Sequence, residues 1–204
     1  MSSTSLLTKN LPPLAERIRP QGLSKFIGQE NLIHENSLLT KAVASKQPFS
    51  LIFWGPPGTG KTTLARILSR EFGVEYFELS AISSGVKQVR EILEKGKASF
   101  ESGKRSILFI DEIHRFTKSQ QDALLHAVED GSITLMGATT ENPSFEINSS
   151  LLSRSRVYIL DKLSEDDLTT IAIRAMESQG VTLEDDGSLS LVVMSSDGDA
   201  RRLI

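Results

Sequence analysis

Short, almost wholly apolar runs recur along the first three quarters of the chain and alternate with stretches of helical length. Five runs have the length of buried strands: 50–54, 75–79, 106–110, 133–138 and 157–160. Runs so continuously apolar are typical of strands that are covered on both faces of a sheet. The stretches 61–72 and 117–130 are each followed by a glycine that can end a helix. This alternation predicts an α/β fold with a parallel five-stranded sheet between layers of helices.

The pattern changes after Asp161. Ser164 is followed three residues later by Asp167, which is the spacing of a helix N-terminal capping box. Five apolar residues then follow helical spacing: Leu168, Ile171, Ala172, Ala175 and Met176. A second helix is expected over 187–195 and a third from about Gly198. We therefore predict a flexible tail over 1–14, an α/β core over 15–161 and the beginning of a helical lid over 162–204.

The sequence stops inside the third helical pattern. We therefore expect the chain to be the N-terminal fragment of a longer protein, with an incomplete lid.

Composition excludes several classes of protein. The chain has no cysteine, so disulfides and thiolate metal sites are excluded. Its first residues lack the apolar core of a signal peptide, and its longest apolar runs are too short to cross a bilayer. We expect a soluble cytoplasmic protein with no membrane contact.

The net charge is −3, and the charge is unevenly distributed. From Asp161 onward there are ten acidic and four basic residues. The simpler interpretation is a solvated acidic surface on the C-terminal part. The weaker alternative is that the earlier part of the chain, or another molecule, contacts a polyanion.

The stretch "GPPGTGKT", 55–62, has the glycine and lysine spacing of a phosphate-binding loop. It follows an apolar strand and opens a helix, so backbone N–H groups and the helix N-terminus can surround phosphate oxygens. Lys61 is expected to reach the β- and γ-phosphates, and Thr62 to offer its hydroxyl to Mg²⁺. The alternative is a glycine- and proline-rich turn without a ligand. The loop and the residue after it are the candidate nucleotide contacts: Gly55, Pro56, Pro57, Gly58, Thr59, Gly60, Lys61, Thr62 and Thr63.

Two adjacent acids, Asp111 and Glu112, end the apolar run "ILFI". Beside a phosphate loop, Asp111 is suited to hold Mg²⁺ and Glu112 to take a proton from an attacking water. Alone, such a pair is often only a solvated turn. His114 either contacts this site or merely opens the next loop, and the second interpretation is favoured.

The run that ends in "GATT" is expected to bring Thr139 or Thr140 beside the γ-phosphate, where a hydroxyl can hold the attacking water. Threonines also simply favour strands, and we expect one of the two to do no more than that. Arg154 and Arg156 lie too far along the chain to reach their own nucleotide easily. A guanidinium supplied by a neighbouring subunit can spread the charge of a transferring phosphoryl group. The alternative is a pair of surface arginines before an edge strand.

Together these motifs resemble the AAA+ ATPases, and more narrowly the RarA/MgsA family of replication-associated recombination ATPases, which is related to the Werner-helicase-interacting protein. The resemblance extends from "LAERIRPQGLSKFIGQENLI" to "DGDARRLI". Phosphate loops are widely shared, whereas "DEIHRFTKSQQDALLHAVEDG" and "GATTENPSFEINSSLLSRSRVYIL" are much more specific to this family.

The resemblance implies a role for each matching residue. Arg19, Ile27 and Gly28 lie in the segment that flanks adenine. Lys61 and Thr62 belong to the Walker A motif, and Asp111 and Glu112 to Walker B. Thr140 matches the sensor-1 position, with Asn142 as a less secure candidate. Arg154 matches the arginine finger, with Ser155 in place of the cysteine found in clamp loaders, and Arg201 matches sensor 2 in the lid.

The resemblance also implies a function: a DNA-stimulated ATPase of replication-fork maintenance and recombination that acts at gaps, forks or single-strand/double-strand junctions. It implies ATP/ADP and Mg²⁺ as ligands, DNA and single-strand-binding protein as partners, and a location at the nucleoid. A homo-oligomer is implied for the longer protein, whereas this chain is expected to be monomeric and only weakly active.

Two alternatives remain open. One is a clamp-loader-like or Holliday-junction branch-migration ATPase, although a cysteine-free chain cannot build the zinc cluster of bacterial clamp-loader motors. The other, from a different class, is a nucleotide-switched recruitment module with little turnover.

Overall fold

The computed structural model describes residues 12–181 and 187–204. Within them, five strands form one sheet in the order β2-β3-β4-β1-β5, and every neighbouring pair is parallel. The strands are β1 (Leu51–Trp54), β2 (Glu75–Ser80), β3 (Ser106–Asp111), β4 (Thr134–Thr139) and β5 (Arg156–Ile159). The predicted α/β fold with a parallel five-stranded sheet is confirmed.

The helices of the described residues connect and cover these strands. They are α1 (Leu14–Arg17), α2 (Leu38–Ala44), α3 (Lys61–Phe72), α4 (Val86–Glu101), α5 (Lys118–Glu129), α6 (Pro143–Glu146), α7 (Ser149–Leu152), α8 (Glu165–Gln179), α9 (Ser188–Ser195) and α10 (Ala200–Leu203). Two 3₁₀ turns cover Leu23–Lys25 and Ile113–Arg115. The predicted strands and helices agree with these bounds to within one or two residues, whereas α1, α2, α4, α6 and α7 were not predicted. Residues 1–11 of the predicted tail lie outside the described residues, and Leu14 opens α1.

The core consists of two apolar layers, one on each face of the sheet. Phe53 and Phe109 pack with residues of α2 and α3 on one face. Ile52 and Leu108, their neighbours along the same strands, pack with residues of α4, α5 and α7 on the other face. Successive side chains of a strand point to opposite faces. Burial on both faces therefore explains why the central strands are continuously apolar.

A small helical lid follows the last strand. Leu163, Leu168 and Val193 form its core. The Ser164 hydroxyl accepts a hydrogen bond from the Asp167 N–H, as the capping-box spacing predicted. Gly180 adopts the left-handed conformation and ends α8. The lid therefore has its own apolar centre, separate from the two layers that cover the sheet.

Gln29 ties the N-terminal segment to the junction between core and lid. Its side-chain amide donates to the Asp161 carbonyl at 2.8 Å and accepts from the Asp161 N–H at 3.0 Å. The side chain thus pairs with the backbone as a neighbouring strand would, and Gln29 is only 7% exposed. No helix of the described residues is long and apolar enough to cross a membrane.

Candidate functional site

The phosphate loop connects β1 to α3 and has an open, glycine-dependent shape. Gly58 and Gly60 have φ values of +69° and +95°, in the left-handed region that favours glycine. Gly60 is also the N-cap of α3. The first N–H groups of a helix have no partner within the helix, and the helix dipole favours negative charge there. The loop therefore offers the N-terminal end of a twelve-residue helix to an anion.

Two other parts of the chain approach this loop closely. A Cβ added at Gly60 would lie 2.7 Å from Phe26 Cζ, and one added at Gly58 would lie 1.7 Å from Asp199 Oδ1. The Ala200 N–H also donates to the Gly58 carbonyl at 3.3 Å. The N-terminal segment and the lid therefore both close upon the phosphate loop.

Lys61 lies at the first position of α3 and is 7% exposed. Its ammonium group donates to the carbonyl oxygens of Gly55 at 2.7 Å and Pro56 at 2.6 Å. Burial lowers the pKa of Lys61, and the nearby carboxylates of Glu112 and Asp111 oppose that effect. Lys61, which opens α3, is thus a buried cation beside two acids at the end of β3.

The acid pair stands where β3 ends. Burial, reinforced by the charge of Glu112, raises the pKa of Asp111, while Arg201 and Lys61 act in the opposite direction. Glu112 has a φ of +54°, an unusual backbone conformation for a residue with a side chain. This turn moves the chain out of the sheet and lets both carboxylates line the same cleft.

The two threonines at the end of β4 have different surroundings. Thr139 is fully buried, and its hydroxyl lies 2.9 Å from His114 Nδ1. The Thr140 hydroxyl lies 3.4 Å from Glu112 Oε2. Asn142 accepts from the Ser144 N–H and thereby caps α6. Of the three sensor-1 candidates, Thr140 is the one whose side chain contacts the catalytic candidate Glu112.

The favoured interpretation that His114 merely opens the next loop is wrong. Its side chain is only 8% exposed, and its Nδ1 lies 3.2 Å from Glu112 Oε2. Sequence reasoning missed this arrangement because the hydroxyl partner, Thr139, lies on a different strand, 25 residues along the chain.

One cleft collects most of the predicted nucleotide contacts. Its lining includes Arg19, Ile27, Pro57, Gly58, Thr59, Gly60, Lys61, Thr62, Thr63, Asp111, Glu112 and Arg201. Five predicted site residues do not line it: Gly28, Gly55, Pro56, Thr140 and Arg154. A Cβ added at Gly28 would lie 2.7 Å from Leu163 Cδ2, so this glycine permits the lid to pack closely.

Several residues that line the cleft were not predicted as nucleotide contacts. Ile18, Ile171 and Arg174 belong to this group, and the last two lie on the lid helix α8. The Arg174 guanidinium donates to the Lys25 carbonyl at 2.7 Å and so links the lid to the N-terminal segment. No local motif marks these residues, because their position depends on how the lid folds over the core. Another lining residue, Arg19, donates to the Thr63 hydroxyl at 2.9 Å.

Arg154 lies apart from the cleft of its own chain. It forms an ion pair of 2.7 Å with Glu129 at the end of α5 and donates to the Ser150 carbonyl at 2.8 Å. Its side chain is 43% exposed. The guanidinium is therefore accessible to solvent and held on a surface formed by α5 and α7.

The described residues hold no cluster of three or more His, Cys, Asp and Glu side chains arranged for a metal ion. Mg²⁺ differs from most metals because one or two carboxylates and the phosphates of a nucleotide are often enough to bind it. Thr62 and Asp111 are hard oxygen ligands that line the same cleft. The ligand set therefore fits Mg²⁺ that arrives with a nucleotide.

Comparison with known proteins agrees with this geometry. The family model described as "ATPase family associated with various cellular activities (AAA)" matches residues 51–163. Replication-associated recombination protein A of Escherichia coli K12 is 47% identical over 199 residues, which are 94% of this chain and 44% of that protein. The Dictyostelium discoideum ATPase WRNIP1 is 44% identical over 97% of this chain and 23% of its own length. The chain thus spans less than half of the length of these relatives.

Among solved structures, the Thermotoga maritima RuvB Holliday junction branch migration motor superposes with a TM-score of 0.75. It is 34% identical, and the match covers 92% of this chain and 63% of that one. The resemblance to the replication-associated recombination ATPases, stated from the sequence motifs, is confirmed by the relatives. The phosphate loop, the acid pair and these matches together show that the chain belongs to the ATPase family associated with various cellular activities.

Proposed function

We propose that this chain binds ATP with Mg²⁺ in the cleft and hydrolyses it to ADP and phosphate in the service of DNA replication and recombination. One observation carries the proposal: a buried lysine at a helix N-terminus, an acid pair and a lid arginine line a single cleft. A simple glycine-rich turn would not need the acids or the arginine.

Nucleotide binding is assigned to three parts of the chain. The loop from Pro57 to Thr63 surrounds the phosphates, with Lys61 exchanging its loop carbonyl partners for phosphate oxygens. Arg19 and Ile27, which line the same cleft, are assigned to the adenine. Thr62 and Asp111 hold Mg²⁺, which when bound neutralises charge on the phosphate oxygens. Arg201 reaches the phosphates from the lid.

Hydrolysis is assigned to Glu112. Its carboxylate accepts a proton from water as the water oxygen bonds to the γ-phosphorus. The bond between that phosphorus and the bridging oxygen breaks, and ADP leaves with the electron pair. Thr140 is assigned to orient the water, and the 3.4 Å contact of its hydroxyl with the same carboxylate supports that role. Lys61 and Arg201 stabilise the negative charge that spreads over the transferring group.

Arg154 is assigned to a neighbouring copy of the chain. Because it does not line its own cleft, its guanidinium acts on a nucleotide only when a second subunit meets the surface of α5 and α7. An arginine supplied in this way is worth about 10³- to 10⁵-fold in rate. The active form is therefore a homo-oligomer, and the isolated chain hydrolyses ATP slowly.

A mixing experiment tests the shared site. Glu112→Gln and Arg154→Ala chains are each expected to be inactive, and mixing them is expected to restore hydrolysis because one interface keeps both groups. Full activity of the Arg154→Ala chain at low and high protein concentrations would contradict the proposal that a second subunit supplies this arginine.

The names of the relatives support DNA as the partner, since one of them is a replication-associated recombination protein. The proposed substrates are gaps, forks and single-strand/double-strand junctions, with single-strand-binding protein as a partner and the nucleoid of the cytoplasm as the place of action. The test measures ATP hydrolysis by wild-type and Glu112→Gln chains with single-stranded, gapped and forked DNA at one salt concentration, because phosphate contacts make affinity salt-dependent. Equal rates of ATP hydrolysis with every DNA would contradict a specific role at gaps, forks and junctions.

A second candidate is branch migration, because a branch migration motor shares the fold at 34% identity. Movement of a synthetic four-way junction with ATP, without stimulation by gapped DNA, would favour it, and activity in a clamp-loading assay would favour the clamp-loader alternative. A recruitment module with little turnover would be favoured if Glu112→Gln abolished hydrolysis but left cellular activity intact.

A further inference from the structure

Glu112 occupies a position in which its carboxylate needs support. Its backbone φ is +54°, a conformation that costs a residue with a side chain about 1–2 kcal/mol. The Glu112 side chain is 27% exposed, and a freely rotating acid would spend much of its time away from the attacking water. Its Oε2 atom meets two groups from different elements: His114 Nδ1 at 3.2 Å and the Thr140 hydroxyl at 3.4 Å.

We propose that His114 is the positioning residue of Glu112, and that Thr139 fixes the His114 ring in the orientation that this role requires. The inference rests on the proposed hydrolysis, since Glu112 is its base. His114 and Thr139 do not line the cleft, whereas Glu112 does. His114 therefore acts on the reaction through the carboxylate and not through the nucleotide.

The hydrogen bonds around Thr139 determine which ring nitrogen carries the proton. The Thr139 hydroxyl donates to the Glu141 carbonyl at 3.2 Å and accepts from the Glu141 N–H at 3.0 Å. Its single proton is then in use, so toward His114 it acts as an acceptor. An ionised carboxylate also only accepts. Both groups near Nδ1 thus require Nδ1 to carry the hydrogen, which it donates to Thr139 Oγ1 at 2.9 Å, with Glu112 Oε2 at 3.2 Å from the same nitrogen.

This arrangement gives the two carboxylate oxygens of Glu112 different roles. Oε2 accepts from the Thr140 hydroxyl and lies 3.2 Å from His114 Nδ1, which leaves Oε1 to take the proton from water. Thr139 is fully buried and the His114 side chain is nearly so, so the orientation does not depend on bulk water. A misplacement of about 1 Å at a reacting group can cost about 10²-fold in rate.

The first test compares three substitutions of His114 in steady-state ATP hydrolysis. His114→Ala is expected to lower kcat about 10- to 100-fold with nucleotide affinity unchanged, since only the orientation of the base is lost. His114→Asn carries an amide N–H near the position of Nδ1 and is expected to restore most of the rate. His114→Gln places its amide farther along and is expected to resemble His114→Ala. Equal rates for the alanine and wild-type chains, or for the alanine and asparagine chains, overturn the proposal.

The second test asks whether His114 acts through Glu112. In a Glu112→Gln background, His114→Ala is expected to cause no further loss, because residues that act as a unit are not additive. Thr139→Val keeps the shape of the side chain but removes the hydroxyl, so it is expected to lower kcat, whereas Thr139→Ser is expected to retain it. Independent, multiplicative losses in the double variant would overturn the proposal.

A third measurement does not depend on turnover. Long-range ¹H–¹⁵N correlation spectra of the wild-type chain report the protonated ring nitrogen of each histidine, and His114→Asn identifies the signal. A ring that carries a hydrogen on Nδ1 is expected. A ring protonated only at Nε2 would overturn the inference even if Glu112 proved essential, whereas a chain with the Nδ1 form but no hydrolysis would count against the proposed function alone.

Discussion

Replacement of Gly58 by alanine tests whether the lid rests on the phosphate loop. The φ of Gly58 is +69°, so an alanine there is strained by about 1–2 kcal/mol even without a neighbour. The added Cβ would also lie 1.7 Å from Asp199 Oδ1 and 2.9 Å from Asp199 Cα. The side chain of Asp199 can rotate, but its Cα can retreat only if the end of the lid moves.

The size of the effect follows from those contacts. Moving the lid breaks the hydrogen bond from the Ala200 N–H to the Gly58 carbonyl, which is worth about 1 kcal/mol. With the backbone strain, Gly58→Ala is expected to lower the free energy of unfolding by about 2–3 kcal/mol. In a chain of this length, each kcal/mol lowers Tm by about 2–4 °C.

Gly180 provides a matched control. Its φ is +68°, and a Cβ added there would meet nothing within 4 Å. Gly180→Ala therefore carries the same backbone strain without the contact, and is expected to cost about 1–2 kcal/mol. The difference between the two variants isolates the contact between lid and loop.

Thermal unfolding gives the stability of both variants, and amide hydrogen exchange of 198–204 without nucleotide gives the position of the lid. We expect faster exchange at Ala200 in Gly58→Ala and wild-type exchange there in Gly180→Ala. Equal melting temperatures with unchanged exchange of α10 in both variants would refute the contact. Nucleotide affinity alone is not decisive, because Gly58 also belongs to the phosphate loop.

Three further predictions concern charge and capping. Asp111→Asn is expected to raise the Tm of the nucleotide-free protein at pH 7, because burial raises the pKa of Asp111 and its ionised form is unfavourable in the fold. The gain should shrink as pH falls through the raised pKa of the folded state and vanish below the pKa of the unfolded state, and a gain that persisted in acid would contradict the cause. Ser164→Ala removes the cap that accepts from the Asp167 N–H at 3.1 Å, and urea unfolding should show a loss of about 1 kcal/mol. Glu129→Gln weakens an exposed ion pair with Arg154, so its unfolding free energy should change by less than about 1 kcal/mol; a larger loss would mean that the pair is not simply a surface contact.

The strands were predictable because their local pattern and their burial have the same cause. β1 is apolar throughout and β3 is apolar from Ile107 to Ile110, and the fold covers both faces of these strands. The order of the strands in the sheet was not predictable, since it depends on pairing between distant segments. The helix α4 was missed because only Val89 and Gly96 of its sixteen residues are buried.

The site was predictable where its chemistry follows a strand end. The phosphate loop comes directly after β1 and the acid pair comes at the end of β3, so both were expected at one edge of a parallel sheet. The Arg174 contact with the Lys25 carbonyl joins residues 149 positions apart, so no local sequence motif predicts it. The support of Glu112 by His114 escaped prediction for the same reason, as it depends on a hydroxyl from another strand.

The two hydrogen bonds between Gln29 and Asp161 restrict the chain at the junction between core and lid. Both peptide groups of Asp161 are fastened to the N-terminal segment, so Asp161 moves with the core. Lys162 and Leu163 come next and precede the capped start of α8 at Ser164. The link between core and lid is therefore very short, and Leu163 already belongs to the lid core. The Leu163 N–H also donates to the Gly198 carbonyl at 3.3 Å, so the chain just before the helix that carries Arg201 is bonded directly to this link, and the position of the lid arginine depends on how Gln29 holds Asp161.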